Sequence, residues 1–112
     1  MAREKYKTLT EQMFYILICL RDECCGVDIM KMVAEITENR VTIGAGTLYT
    51  LLDNFVSEKI IKETKVENRR KSYVITDIGN DMLVKEYKRL HSLICDFDRI
   101  DKEGKLWKQQ KD

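Results

Sequence analysis

Apolar positions along the chain follow a helical period three times, switch to strand alternation once, and then resume a helical period to the end. Residues 13–20 are apolar without interruption, which predicts a first helix buried on most of its surface, opened by Thr8 and Glu11 at capping-box spacing. Gly26 breaks that pattern. Ile29, Met32, Val33 and Ile36 then mark a second helix that frays near Asn39-Arg40. A short connection over 41–45 leads to a third helix ending near Glu58. In it Leu48, Leu51, Leu52 and Phe55 fall at i, i+3, i+4, i+7 and form the buried stripe, so Thr47, Tyr49, Thr50, Asp53 and Asn54 project the other way.

The segments 60–66 and 71–75 are rich in β-branched residues and alternate, and Glu67-Asn68-Arg69-Arg70 between them reads as the polar tip of a hairpin. Thr76 caps a long final helix. There Leu83, Leu90 and Phe97 are seven apart, as are Leu93, Ile100 and Trp107, which is the spacing of a coiled-coil seam on a helix of about 40 Å at ~1.5 Å per residue, fraying near Gly104. So small a domain has nothing of its own to cover such a seam. Leu83, Leu90, Leu93, Ile94, Phe97, Ile100 and Trp107 are therefore expected at a dimer interface with a second copy.

Two helices joined by a tight turn, the second with a polar outer face, followed by a basic hairpin, define the expected fold class. It is mainly α with a small β-hairpin: a winged helix-turn-helix DNA-binding domain over residues 1–76 and a C-terminal dimerisation helix and tail over 77–112. Short hydroxyls and amides on the third helix suit a DNA groove, because they bond phosphates or base edges without the desolvation cost of a charge. The helix start at Gly44-Ala45-Gly46 offers free N–H donors to a phosphate. The expected DNA-contacting residues are Gly46, Thr47, Tyr49, Thr50 and Asn54 on the helix and Arg69, Arg70 and Lys71 on the hairpin. Tyr49 is expected to act there through its hydroxyl.

Charge changes the picture only locally. The 112 residues carry a formal net charge of +1, with 20 Lys+Arg against 19 Asp+Glu, so the chain as a whole is not strongly basic. Residues 59–71, however, hold six basic and two acidic side chains, and residues 22–58 lean acidic. The longest apolar run is far short of the ~20 residues that span a bilayer, and a cytoplasmic, membrane-free protein is expected. Cys19, Cys24, Cys25 and Cys95 show no CxxC pairing and His91 is the single histidine, so neither a metal site, a cofactor nor a disulfide framework is indicated. The adjacent Cys24-Cys25 has the acidic Asp22-Glu23 beside it rather than a cation, which reads as structural rather than redox-sensing. With no nucleophile partner for His91, no glycine-rich phosphate loop and no paired carboxylates, the chain is not expected to be an enzyme.

Leu9-Thr10-Glu11, Gly46-Thr47-Leu48-Tyr49, Arg69-Arg70-Lys71-Ser72-Tyr73 and Thr76-Asp77-Ile78-Gly79, in this order, resemble the PadR family of bacterial transcriptional regulators over nearly the whole chain, and in particular its compact subgroup with a single dimerising helix. The resemblance implies a homodimeric repressor that binds a pseudo-palindromic operator and is released by a small molecule or stress signal. It places Thr47 and Tyr49 on the recognition helix and Arg69 to Lys71 on the wing. The chain departs from the family pattern at Gly26-Val27, where Gly-Tyr is common, at Lys59, where glycine usually follows the recognition helix, and at Asp53-Asn54, where a basic residue is usual. Some compact members stack flat aromatic drugs on a tryptophan of the final helix; the matching position here is Leu90. A pocket of Met13, Phe14, Tyr87, Leu90 and Ile94 for a small apolar effector remains the expectation. Asp53 and the near-neutral charge support an alternative, a winged-helix protein-interaction module with weak or no DNA binding.

Overall fold

The computed structural model describes residues 8–102; Trp107 and Gly104 lie outside them. The element order is α1 (Glu11–Cys19), β1 (Cys24–Cys25), α2 (Gly26–Ile36), α3 (Ala45–Ser57), β2 (Ile61–Glu67), β3 (Arg70–Ile75) and α4 (Asp77–Ile100). The three strands form one antiparallel sheet in the order β1-β3-β2, so the hairpin gains a short third strand. Cys24 pairs with Tyr73 and Cys25 with Ser72. This strand escaped the sequence reading because two residues carry no alternation.

The cap of α1 is Thr10 rather than Thr8: its Oγ1 accepts the Met13 N–H at 3.2 Å, two residues later than expected. One core gathers Ile16, Leu17 and Leu20 of the first helical segment, Ile29 and Val33 of α2, Leu48, Leu52 and Phe55 of α3, and Ile60, Ile61 and Tyr73 at the root of the sheet. Leu51 is only half-buried and packs against that core from its rim. The turn from α2 into α3 is closed by the buried Thr37, whose hydroxyl donates toward the Val33 and Val41 carbonyls (2.8 and 3.1 Å) and accepts the Val41 N–H. Arg40, in that turn, ties the pair to α1 through Glu11 (2.6 Å) and the Tyr15 hydroxyl (2.8 Å).

α3 ends without the usual glycine. Lys59 takes the left-handed conformation (φ 62°), Ile60 N–H reaches the Phe55 carbonyl and Lys59 N–H the Val56 carbonyl, which together make a Schellman stop and turn the chain into β2. Thr76 then joins the two ends of this unit. Its Oγ1 accepts the Gly79 N–H as the cap of α4 and donates toward the carbonyls of Lys59 and Ile60 (2.6 and 2.8 Å).

The first half of α4 belongs to the core through Gly79, Met82, Leu83 and Glu86. This corrects one expectation: Leu83 is 7% exposed within its own chain and leaves nothing for a second copy to cover. Glu86 is buried as one side of a two-pronged pair with Arg89 (2.8 and 2.6 Å), and that guanidinium, aided by a backbone bond from Leu9, holds the carboxyl below its usual value against the opposing effect of burial. The pair therefore stabilises fully above the ordinary carboxylate range and loses its contribution as pH falls through the lowered value. Beyond Leu90, which is half-buried, every residue through Ile100 is exposed, including Leu93, Ile94, Phe97 and Ile100.

Candidate nucleic-acid interface

The outward face of α3 is open. Gly46, Thr47, Tyr49, Thr50 and Asp53 are exposed and Asn54 half-exposed, while Leu48, Leu52 and Phe55 are fully buried behind them. Gly44 occupies the N-cap position with no side-chain capping bond, and no acidic residue stands in the first turn, so the leading N–H groups are left for an external acceptor. A Cβ at Gly44 or Gly46 would meet nothing within 4 Å, so packing does not require glycine at either position. What these glycines leave is a bare helix end.

The wing is a tight hairpin. Glu67 pairs with Arg70, and Asn68 (φ 51°) and Arg69 (φ 67°) form the two-residue link, both in the left-handed region that a type I′ turn demands. A register shift between Glu63 and Lys65 bulges β2. Its basic side chains are not equivalent. Lys65 lies 3.7 Å from both Glu23 and Glu67, and Lys71 3.7 Å from Glu63, whereas Arg69 and Arg70 make no ion pair among the described residues. Of the three expected wing cations, the two arginines are the ones whose charge is uncommitted.

α3 and the wing meet across a concavity of about 330 Å³ lined by Val27, Tyr49, Asp53, Arg69, Arg70, Lys71 and Tyr73. It brings Tyr49 together with the three wing cations; Gly46, Thr47, Thr50 and Asn54 lie on the helix outside it. Tyr49 is 38% exposed, and one edge of its ring rests where Gly26 has no side chain: a Cβ there would sit 3.1 Å from Cε1 and 3.5 Å from the hydroxyl. Gly26 thus seats the tyrosine against the start of α2. Tyr73 floors the concavity at 2% exposure, and burial, followed by the charges of Glu63 and Asp53, raises its hydroxyl pKa above the usual value. Sequence reasoning named neither Val27 nor Tyr73 for this site; each stood there only as part of a family motif, at Gly26-Val27 and at Arg69 to Tyr73.

Of the residues expected to line an effector pocket, Phe14, Tyr87 and Leu90 line two hollows of the single chain, with Phe14 shared between them. One hollow of about 350 Å³ is lined by Phe14, Ile18, Arg21, Asn80, Leu83, Val84 and Tyr87. The other, about 380 Å³, takes in Leu90 but is walled by Glu11, Arg40, Glu86 and Arg89, which are already paired with one another. Met13 and Ile94 line neither, since Met13 packs onto the core and Ile94 stands further along the exposed part of α4.

The cysteines are free thiols. Burial first, then the Asp28 charge, pushes the Cys24 thiol up to about 11, so it stays protonated at neutral pH, with Met32 Sδ and the Cys25 carbonyl each 3.4 Å from its sulfur. A protonated, half-buried thiol is a poor nucleophile, in line with a structural role. No cluster of three or more His, Cys, Asp or Glu suited to a metal ion occurs among the described residues.

A helix-turn-helix whose second helix is open to solvent beside a basic two-stranded wing defines a winged-helix protein. The sequence profile described as "Transcriptional regulator PadR-like family" matches residues 16–85, and the chain belongs to this family of transcriptional regulators. Solved structures share the fold. A PadR family transcriptional regulator from Eggerthella lenta is 24% identical, with 78% of each chain covered and a TM-score of 0.67. A PadR-like transcriptional regulator from Bacillus cereus is also 24% identical, covering 78% of this chain and 87% of its own at 0.64. RosR of H. salinarum is 20% identical, covering 82% and 96% at 0.60. No curated protein matches the chain. No helix among the described residues is long and apolar enough to cross a membrane.

Proposed function

We propose that this transcriptional regulator is a repressor that binds a pseudo-palindromic operator in double-stranded DNA as a homodimer, in the cytoplasm. α3 enters the major groove, and the wing lies along the backbone and minor groove. The observation that carries this reading is the pairing of an uncapped, open recognition helix with two wing arginines that make no ion pair among the described residues. Thr47, Tyr49, Thr50 and Asn54 supply hydrogen bonds to base edges or phosphates, and Gly46 lets the backbone approach closely. Lys71 contributes less than Arg69 or Arg70, since Glu63 already claims part of its charge. The exposed face of α4 supplies the dimer contact through Leu90, Leu93, Ile94, Phe97 and Ile100. The more apolar of the two hollows, between α1 and α4, has the volume of a small-ligand site and is the place for an apolar effector that releases the operator.

The wing is the test. Replacing both Arg69 and Arg70 by Ala is expected to weaken specific and random duplex alike and to flatten the plot of log affinity against log salt by about 0.9 per lost phosphate contact. Titrations at several salt concentrations check this. Lost sequence discrimination with an unchanged slope would show that the arginines read bases instead.

A further inference from the structure

We propose that Asp53 is a specificity-determining residue that accepts a hydrogen bond from the N4 amino group of a cytosine in the major groove; the assignment rests on the DNA-binding reading above. The whole of α3, Ala45–Ser57, contains no lysine or arginine, so its only full charge is the carboxylate of Asp53. That side chain is exposed and has no hydrogen bond or ion pair among the described residues, although Arg69, Arg70 and Lys71 line the same concavity. Asp53 stands one helical turn beyond Tyr49 and three residues beyond Thr50, on the face that meets DNA. Its charge is therefore neither neutralised by the fold nor hidden from the groove.

A carboxylate at that place discriminates by chemistry. It only accepts, so it is repelled by phosphates and by N7 and O6 of guanine and O4 of thymine, all of which are acceptors. The major-groove donors are the amino groups of cytosine and adenine. Beside N6 of adenine, however, lies the N7 lone pair, which faces the carboxylate with like polarity, whereas the N4 amino group of cytosine has no acceptor next to it on its own base. The division of labour follows: the wing arginines hold phosphate, and the acidic residue of the helix rejects three of the four bases.

The experiment selects bound duplexes from a randomised library with the full-length wild type, Asp53→Asn and Asp53→Ala, after thermal melts confirm that these exposed substitutions leave the fold intact. The wild type is expected to favour cytosine by about tenfold at one position in each half-site, the scale of a single base contact. Asp53→Asn should switch that position to adenine, because an amide matches N6 and N7 as donor and acceptor together. Asp53→Ala should abolish the preference there and nowhere else. If both variants keep the wild-type profile, or bind every sequence more tightly without changing it, the carboxylate acts at most by repelling phosphate and the assignment fails while DNA binding stands. A wild type that retains no duplex at all overturns both.

Discussion

Changing two exposed residues, Ile94→Asp with Phe97→Asp, is expected to convert the protein from dimer to folded monomer. Both side chains project from the half of α4 that leaves the core, at 60% and 46% exposure, and neither packs against the core, so the fold should survive the change. In a dimer the pair is present twice. Fully burying an aliphatic or aromatic side chain is worth roughly 1.5–3 kcal/mol and about half of each of these is still exposed, so four such groups represent roughly 3–6 kcal/mol, and the buried carboxylates would oppose association further. Light scattering should report half the wild-type mass while circular dichroism retains the helical signal. An unchanged dimer in the double variant would show that α4 pairs through another face.

The largest effect on stability is expected at Gly79. Here α4 starts hard against the root of the wing: a Cβ would collide with the Ile60 carbonyl, a backbone atom, and would lie 2.7 Å from Ile75 Cγ1 and 3.0 Å from Ile60 Cγ2. The Ile60 carbonyl cannot yield cheaply, since it accepts the Thr76 N–H and takes part in the bond from the Thr76 hydroxyl. Gly79→Ala should therefore cost about 3 kcal/mol, at the upper end of overpacking penalties, and lower the urea midpoint accordingly. Gly46→Ala is the control. It meets open space, and alanine is the better helix former by about 1 kcal/mol, so the same chemical change should leave stability unchanged or raised. Equal effects at both sites would mean that α4 does not approach the wing this closely.

The helices were legible in the sequence from their apolar positions, an unbroken run in α1 and helical spacing in the others, although Ile36 of the α2 set is exposed and Leu51 of the α3 set only half-buried. The hairpin was legible from its β-branched arms around a polar tip, but the tip is tighter than the expected Glu67 to Arg70, since those two residues pair within the strands and leave Asn68-Arg69 as the link. What the chain did not disclose depends on contacts between elements. Cys24-Cys25 becomes a strand only because β3 lies beside it, and the apolar spacing of Leu83 has the same form whether its partner is the chain's own core or another subunit. Thr8 and Thr10 both precede Glu11, and the choice between them falls to geometry at the helix start. The site was half legible. The exposed face of α3 and the basic wing could be read from patterning, but that Lys71 is paired and Arg69 and Arg70 are not depends on where Glu63 lies across the hairpin. Likewise no pattern in the sequence showed that Glu11 would pair with Arg40, and Glu86 with Arg89, along the hollow that holds Leu90.

Gly26 and Thr76 link these local features to the proposed activity. Gly26 gives the ring of Tyr49 a seat against α2, which fixes one wall of the concavity. Thr76 connects the end of α3 to the start of α4, so a displacement of α4 by a second subunit or by an effector beside Phe14 and Tyr87 would act directly on the recognition helix.

The central claim is that this chain binds duplex DNA through α3 and the wing, and it is tested most directly by titrating the wild-type protein onto labelled duplex from its own upstream region across a range of salt concentrations. The account predicts saturation at two chains per duplex, with log affinity falling linearly against log salt at a slope of about −3.6 or steeper. The two wings supply four arginine contacts to phosphate at ~0.9 each. Affinity that is absent, or that does not respond to salt, would contradict it and assign the wing and α3 to a protein partner.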